Sequence, residues 1–120
     1  MTRKRNDGHS TEFGLWLREQ PELDSRRHCY VATNIDYLWS NYKTGEWMLI
    51  EEKRYKRKPT RSQSDLFKLL HTAAKHDPQY CGFHVIIFEN TSPDDGAIWV
   101  DEYEVSKDEL MQFLQFRWAF

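Results

Sequence analysis

The segment that most constrains the fold is 46–53, in which bulky apolar residues are followed directly by charged ones. Its apolar part, 47–50, comes just after a Thr-Gly turn signal and predicts a buried strand. The strand then continues into Glu51, Glu52 and Lys53 before any turn residue appears. Because side chains alternate along a strand, Glu51 and Lys53 fall on one face, with alpha carbons about 6.7 Å apart. Charges at the end of a core strand are costly to desolvate unless something there uses them.

Asp36 lies on the preceding predicted strand, 35–40, across a hairpin turn in which Gly45 is free to adopt positive φ. In such a hairpin we expect Asp36 to stand beside Glu51. Two carboxylates that close form a hard, oxygen-lined site, which suits Mg²⁺ or Mn²⁺, and Lys53 lies alongside.

The remaining pattern predicts an α/β fold with a central mixed β-sheet flanked by helices. A short helix follows a cap at Ser10 or Thr11, and Ser106 with Glu109 caps a final helix. Between them the sequence predicts strands at 28–33, 35–40 and 46–53, then a helix that Ser62 starts, with Asp65 in a capping-box pattern, and that Asp77-Pro78 ends, and strands at 82–88 and 97–103. We expect 1–9 to be a flexible basic arm and 10–120 to be one domain.

Charge is nearly balanced, with 17 Lys and Arg against 19 Asp and Glu, which excludes a wholly basic nucleic-acid coat. No apolar run approaches the length of a membrane span, so we expect no membrane partner. Cys29 and Cys81 have neither metal-ligand spacing nor a disulfide framework, and the polar start is not a signal peptide. These features predict a reduced, cytoplasmic protein.

The segment 53–61, which we call the basic strip, carries six cations and no acid. A local strip of this kind on a mildly acidic protein predicts a focused anionic ligand such as DNA. The alternative is an ordinary solvated loop. Its cations are Lys53, Arg54, Lys56, Arg57, Lys58 and Arg61.

With these residues in place, the chain resembles the PD-(D/E)xK nuclease superfamily, the restriction-endonuclease-like fold, over roughly residues 10 to 90. That family has an αβββαβ core, with an acid on the second strand and (D/E)-x-K on the third. The resemblance implies that Asp36 and Glu51 are the motif acids and Lys53 the motif lysine. Glu12 matches a glutamate of the first helix, and Gln63 a polar residue near the start of the next helix. Ile35 stands where the family pattern has proline.

What the resemblance implies is a Mg²⁺- or Mn²⁺-dependent deoxyribonuclease, with Asp36, Glu51 and Lys53 as catalytic residues. Asp36 and Glu51 would hold the metal, Glu52 would add its backbone carbonyl, and Glu12 would be a second-site ligand. Glu52 leaves the frame of the motif uncertain by one residue, and we prefer Glu51 because it shares the face of Lys53. DNA contacts are expected from Arg54, Lys56, Arg57, Lys58, Arg61 and Gln63.

Three alternatives stay open. Glu12 also fits an acid that simply favours the helix dipole. The chain also fits a non-catalytic nucleic-acid-binding or regulatory protein that keeps this fold. Its length is compatible with a resolvase-like or phage-type endonuclease that acts as a homodimer or with an accessory partner. The sequence leaves the substrate undefined: DNA or RNA, single strand, duplex, flap or junction, cut internally or from an end.

Overall fold

The computed structural model describes residues 11–24, 26–30 and 34–117, which fall into two compact units divided after residue 33. The described part of the first unit contains helix α1, Glu12–Arg18, and a single 3-10 turn, Pro21–Leu23. Thr11 caps α1 by accepting a 3.0 Å hydrogen bond from the Gly14 N–H. In the described residues of both units, no helix is long and apolar enough to cross a membrane.

The second unit is an α/β unit built on one five-stranded mixed sheet, with spatial order β1-β2-β3-β4-β5. The antiparallel pairs are β1–β2, β3–β4 and β4–β5, while β2 and β3 run parallel and are joined through α2. Its elements are β1 Tyr37–Ser40, β2 Trp47–Lys53, α2 Arg61–Ala74, β3 Tyr80–Phe88, β4 Ile98–Val100, β5 Tyr103–Val105 and α3 Lys107–Leu114. The predicted α/β class, with a central mixed sheet flanked by helices, is confirmed.

The two faces of the sheet pack against different helices. On one face, Leu110 and Phe113 of α3 join an apolar core that includes Met48, Ile50 and Val100. On the other face, Phe67 of α2 stacks on Phe83 of β3 with ring centroids 4.5 Å apart. Alternation along β2 places Glu51 and Lys53 on this second face, which we call the α2 face.

His84, on the α3 face of β3, is a partly buried residue whose two ring nitrogens both have hydrogen-bond partners. Its Nδ1 lies 2.6 Å from Asp101 Oδ2, and its Nε2 lies 2.8 Å from the Cys81 carbonyl oxygen. Gly82 makes room for this ring, since a Cβ at position 82 would lie 2.7 Å from His84 Nε2. Gly82 also has a φ of +109°, which other residues rarely adopt.

Three predicted elements differ from the structure. Residues 28–30 of the predicted strand 28–33 are not in a strand, and Cys29 has a φ of 68°, while 31–33 lie outside the described residues. The predicted strand 97–103 is two short strands, because the chain turns at Asp101 and Glu102. Helix α2 begins at Arg61 with Thr60 as its cap, two residues before the predicted cap at Ser62.

Candidate functional site

The hairpin of β1 and β2 brings Asp36 beside the charged end of β2. Tyr37 pairs with Ile50 in the antiparallel register, so Asp36, which directly precedes β1, lies next to Glu51. The Asp36 carboxylate accepts a 2.8 Å hydrogen bond from the backbone N–H of Glu52. This bond fixes a negative charge at the place where the sequence predicted it.

Glu51 is the most unusual residue of this site because it is a charged side chain that is only 4% exposed. Burial, reinforced by the neighbouring charge of Asp36, raises the pKa of Glu51 despite the opposing effect of Lys53. Its Oε2 is 3.2 Å from the Lys53 ammonium. Its Oε1 is enclosed and receives no hydrogen bond from a donor among the described residues, while the Asp36 carboxylate lies within interaction distance of the Glu51 side chain. One buried carboxylate oxygen is therefore left unsatisfied.

Lys53 is held between β2 and the start of α2. Its Nζ donates to Gln63 Oε1 at 3.1 Å, in addition to its contact with Glu51. The same Gln63 oxygen accepts from the backbone N–H of Thr60 at 3.0 Å, as part of the capping box of α2. The start of the helix and the position of the ammonium are thus fixed by one shared amide.

Glu52 points to the opposite face from Glu51 and is engaged there. Its Oε2 accepts from Arg54 Nε at 2.8 Å, and its Oε1 accepts from the Tyr37 hydroxyl at 3.3 Å. A hydrogen bond to Glu52 and its charge raise the pKa of Arg54, and the charge of Glu52 is the main cause of a raised pKa of Tyr37. The Glu52 carboxylate therefore belongs to a surface pair, which favours Glu51 as the acid of the site.

The basic strip leaves β2 through a tight turn and then enters α2. Tyr55 and Lys56 have φ values of 56° and 58°, and their N–H groups donate to Asn90 and Phe88 carbonyls beside the end of β3. Arg54 pairs with Glu52, and Lys56 lies 3.9 Å from Glu89. Within the described part of the chain, no carboxylate lies within ion-pair distance of the remaining exposed cations, Arg57, Lys58 and Arg61.

Glu12 lies in the first turn of α1, in the first unit. Its position there fits an acid that favours the helix dipole. Its predicted contribution to the site stays a prediction.

Thr60 and Tyr37 also shape the site, although the sequence analysis did not single them out. For Thr60 the signal was present in the sequence, because Thr60 and Gln63 match the Ser/Thr-x-x-Glu/Gln capping pattern. Ser62 and Asp65, which the prediction used, have the same spacing with an aspartate in the last position. For Tyr37 no motif exists, since its role depends on which side chain lies across the hairpin.

The carboxylate oxygens of the site are the kind of ligand that a hard divalent cation prefers. In the described residues, no group of three or more His, Cys, Asp and Glu side chains is arranged to hold a metal ion. Mg²⁺, however, is commonly held by one or two carboxylates, with waters and substrate phosphates completing its shell. The side-chain oxygens of Asp36 and Glu51, one of them buried without a partner, fit that requirement.

No protein-family model, no curated protein and no solved structure matches this chain.

Proposed function

We propose that this protein is a nuclease that hydrolyses DNA phosphodiester bonds with Mg²⁺ or Mn²⁺. We further propose that β1, β2, α2 and β3 form the core of a restriction-endonuclease-like fold. The observation that carries the proposal is the buried Oε1 of Glu51, which has no hydrogen-bond donor in the described part of the chain and lies beside a second carboxylate. An unsatisfied buried acceptor costs about 1–3 kcal/mol, and more if charged, which a bound cation would remove.

The order of elements from β1 to β3 supports the fold proposal, although residues 28–30, where the αβββαβ core has its first strand, are not in a strand. An acid precedes β1, and Glu51 and Lys53 end β2. The chain then crosses through α2 to β3, which runs parallel to β2. This arrangement places the Glu-x-Lys pair in the interior of the sheet, at the end from which the basic strip leaves.

Each side chain of the site has a distinct proposed task. Asp36 and Glu51 hold the divalent ion through their carboxylate oxygens. When bound, that ion lowers the pKa of a water molecule and offsets charge on the phosphodiester. Lys53, which Gln63 keeps in place, orients the attacking water and stabilises the negative charge that develops on the phosphate.

The basic strip supplies the proposed DNA contacts. It leaves β2 directly after Lys53, so its exposed cations are positioned to meet phosphates that flank the cleaved bond. Arg57, Lys58 and Arg61 are the strongest candidates, because Arg54 and Lys56 already lie near carboxylates. Gln63 faces Lys53 and the helix cap, and its proposed effect on DNA is therefore indirect.

The test of catalysis is cleavage of labelled single-stranded, duplex, flapped and branched DNA, with matching RNA, at fixed Mn²⁺. We expect Asp36→Asn and Glu51→Gln to abolish cleavage, and Lys53→Ala to lower the rate by about a hundredfold or more. Glu52→Gln should have a mild effect. The matched control is Glu46→Gln, which changes a half-buried acid just before β2 and should cut like the parent.

The outcomes separate the alternatives. Should Glu52→Gln be inactive while Glu51→Gln cuts normally, the frame of the motif is wrong by one residue. Should the parent bind DNA without cutting any substrate, the non-catalytic alternative is correct. Variants of Asp36, Glu51 and Lys53 that all cut like the parent would remove the nuclease proposal.

The test of binding is the salt dependence of DNA affinity. Replacing Lys56, Arg57 and Lys58 together with alanine should weaken binding and reduce the slope of log affinity against log salt by up to about three. The control replaces Lys43, which precedes β2, and Lys75, which follows α2, with alanine. Both lysines lie at the ends of these elements that are away from the basic strip. Equal slopes in the parent and the strip variant would show that the basic strip takes no part in binding.

A further inference from the structure

A cavity of about 380 Å³ opens on the α2 face, next to the proposed active site. Its floor contains Val85 and Ile87 of β3, which pair in register with Glu51 and Lys53 of β2. Paired strands lie about 4.8 Å apart, so the cavity begins one strand away from the two charged residues. Nothing in the proposed chemistry of Asp36, Glu51 and Lys53 uses this space.

The walls of the cavity differ in charge. Lys58 of the basic strip and Ser64 of α2 contribute to its lining, together with Asp101 and Glu102 of the β4–β5 turn. A phosphate would be attracted to Lys58 and repelled by the two acids. A flat ring above the apolar floor would instead direct hydrogen-bond donors on its edge toward Glu102, since both Asp101 carboxylate oxygens are already engaged by Val85 and His84.

The acidic wall is held firmly in place. Asp101 exchanges backbone and side-chain hydrogen bonds with Val85, each 2.9 Å long, and also contacts His84. Asp101 and Glu102 have φ values of 49° and 74°, a conformation that Gly or Asn adopts at much lower cost. Glu102, at this strained position, is exposed and contributes to the lining of the cavity.

We infer that this cavity binds one unpaired nucleobase adjacent to the cleaved phosphodiester, and prefers a base with an exocyclic amino group. The inference rests on the proposed nuclease function and specifies its substrate. A base stacked within a duplex cannot enter such a cavity, whereas a displaced or extrahelical base can. Carboxylates accept hydrogen bonds from the exocyclic amino group of cytosine, whereas an unpaired thymine has only its ring N3–H to donate. The protein should therefore favour DNA with an unpaired cytosine over continuous duplex.

The test is fluorescence anisotropy of the metal-free protein with labelled duplexes that are fully paired or carry one extrahelical cytosine, thymine or abasic residue. We expect the cytosine substrate to bind about tenfold more tightly than the paired duplex and several-fold more tightly than the thymine substrate. Glu102→Gly should remove the preference for cytosine over thymine, measured as the ratio of the two affinities, so a general change in DNA affinity from the lost negative charge does not affect the test. This substitution relieves the positive φ, so loss of folding is not expected from it. The control Glu104→Gln should bind like the parent.

The two proposals fail in different ways. Equal affinity of the parent for all four duplexes, or an unchanged cytosine preference in Glu102→Gly, overturns the base-binding inference even if Glu51-dependent cleavage is observed. Absence of binding to every nucleic acid overturns the inference together with the nuclease proposal. A cytosine preference that depends on Glu102 supports the inference whether or not the protein cleaves.

Discussion

The sheet carries two partly buried acid–base pairs: Glu51 with Lys53 at the end of β2, and His84 with Asp101 where β3 meets the β4–β5 turn. In the second pair both imidazole nitrogens face acceptors, and both Asp101 oxygens are hydrogen-bonded. In the first pair, Glu51 Oε1 receives no hydrogen bond from a donor among the described residues, and the neighbouring side chain is a second acid, Asp36. The same fold therefore satisfies one buried polar cluster fully and leaves the other incomplete, as a ligand site would require.

The two pairs also respond differently to burial. Burial alone would lower the pKa of His84, but its hydrogen bonds to Asp101 and the Cys81 carbonyl, with the charge of Asp101, raise that pKa. The imidazolium is thus stabilised by its surroundings. For Glu51, burial and the charge of Asp36 both raise the pKa and disfavour the carboxylate, which only Lys53 opposes. The charge of the His84 imidazolium therefore stabilises the fold, whereas the fold buries the charge of the Glu51 carboxylate at a cost.

The largest expected effect on stability comes from His84→Gln. This change removes the imidazolium between two acceptors and its edge-on contact with the Phe113 ring, whose centroid is 4.8 Å away. We expect the free energy of unfolding at pH 6 to fall by about 2 kcal/mol, measured by urea denaturation. An unchanged midpoint would show that the pair contributes nothing.

Glutamine at position 51 should change the free energy of unfolding in the opposite direction from glutamine at position 84. Glu51→Gln removes a buried negative charge, keeps an acceptor for Lys53 and offers an amide donor toward Asp36. In metal-free buffer at pH 7 we expect a gain of about 1 kcal/mol in the free energy of unfolding. Destabilisation in the same urea experiment would contradict the claim that the Glu51 site is incomplete without a ligand.

The pH dependence of stability sharpens the comparison. A group whose pKa is raised by folding binds its proton more tightly in the folded state, so stability is lost as pH rises through the folded pKa. For Glu51 this loss begins above its ordinary value of 4.5, and for His84 above 6.5. We would measure the denaturation midpoint of each protein from pH 4 to 9. Glu51→Gln should no longer show the parent's fall in midpoint in the lower part of this range, and His84→Gln should no longer show the fall in the upper part. Identical profiles for both variants would contradict the assignment.

The sequence predicted the central features of the second unit because they follow from local rules. Alternation along 47–53 placed Glu51 and Lys53 on one face, and the hairpin around Gly45 placed Asp36 opposite. Capping chemistry predicted the last helix at Ser106, and it narrowed the start of α2 to within two residues. These features need no knowledge of distant contacts.

The two strand predictions that failed depended on tertiary contacts. The turn at Asp101 and Glu102 has no Gly, Asn or Pro, and it forms because Asp101 bonds to Val85 and His84, sixteen and seventeen residues away. The apolar and aromatic content around 28–30 suggested a strand, but strand preference is a weak guide without a partner. The unsatisfied oxygen of Glu51 was also beyond sequence analysis, since burial of one atom depends on the whole fold.

The most direct test of the Glu51 site is the thermal unfolding midpoint of the parent and of Glu51→Gln, each with and without Mn²⁺. A ligand that binds only the folded state adds about 1.4 kcal/mol of stability at tenfold excess over its dissociation constant. We predict that Mn²⁺ raises the midpoint of the parent and of the control Glu46→Gln, and leaves Glu51→Gln unchanged. An equal rise in the parent and Glu51→Gln, or no rise in the parent, would contradict a divalent-cation site at Glu51.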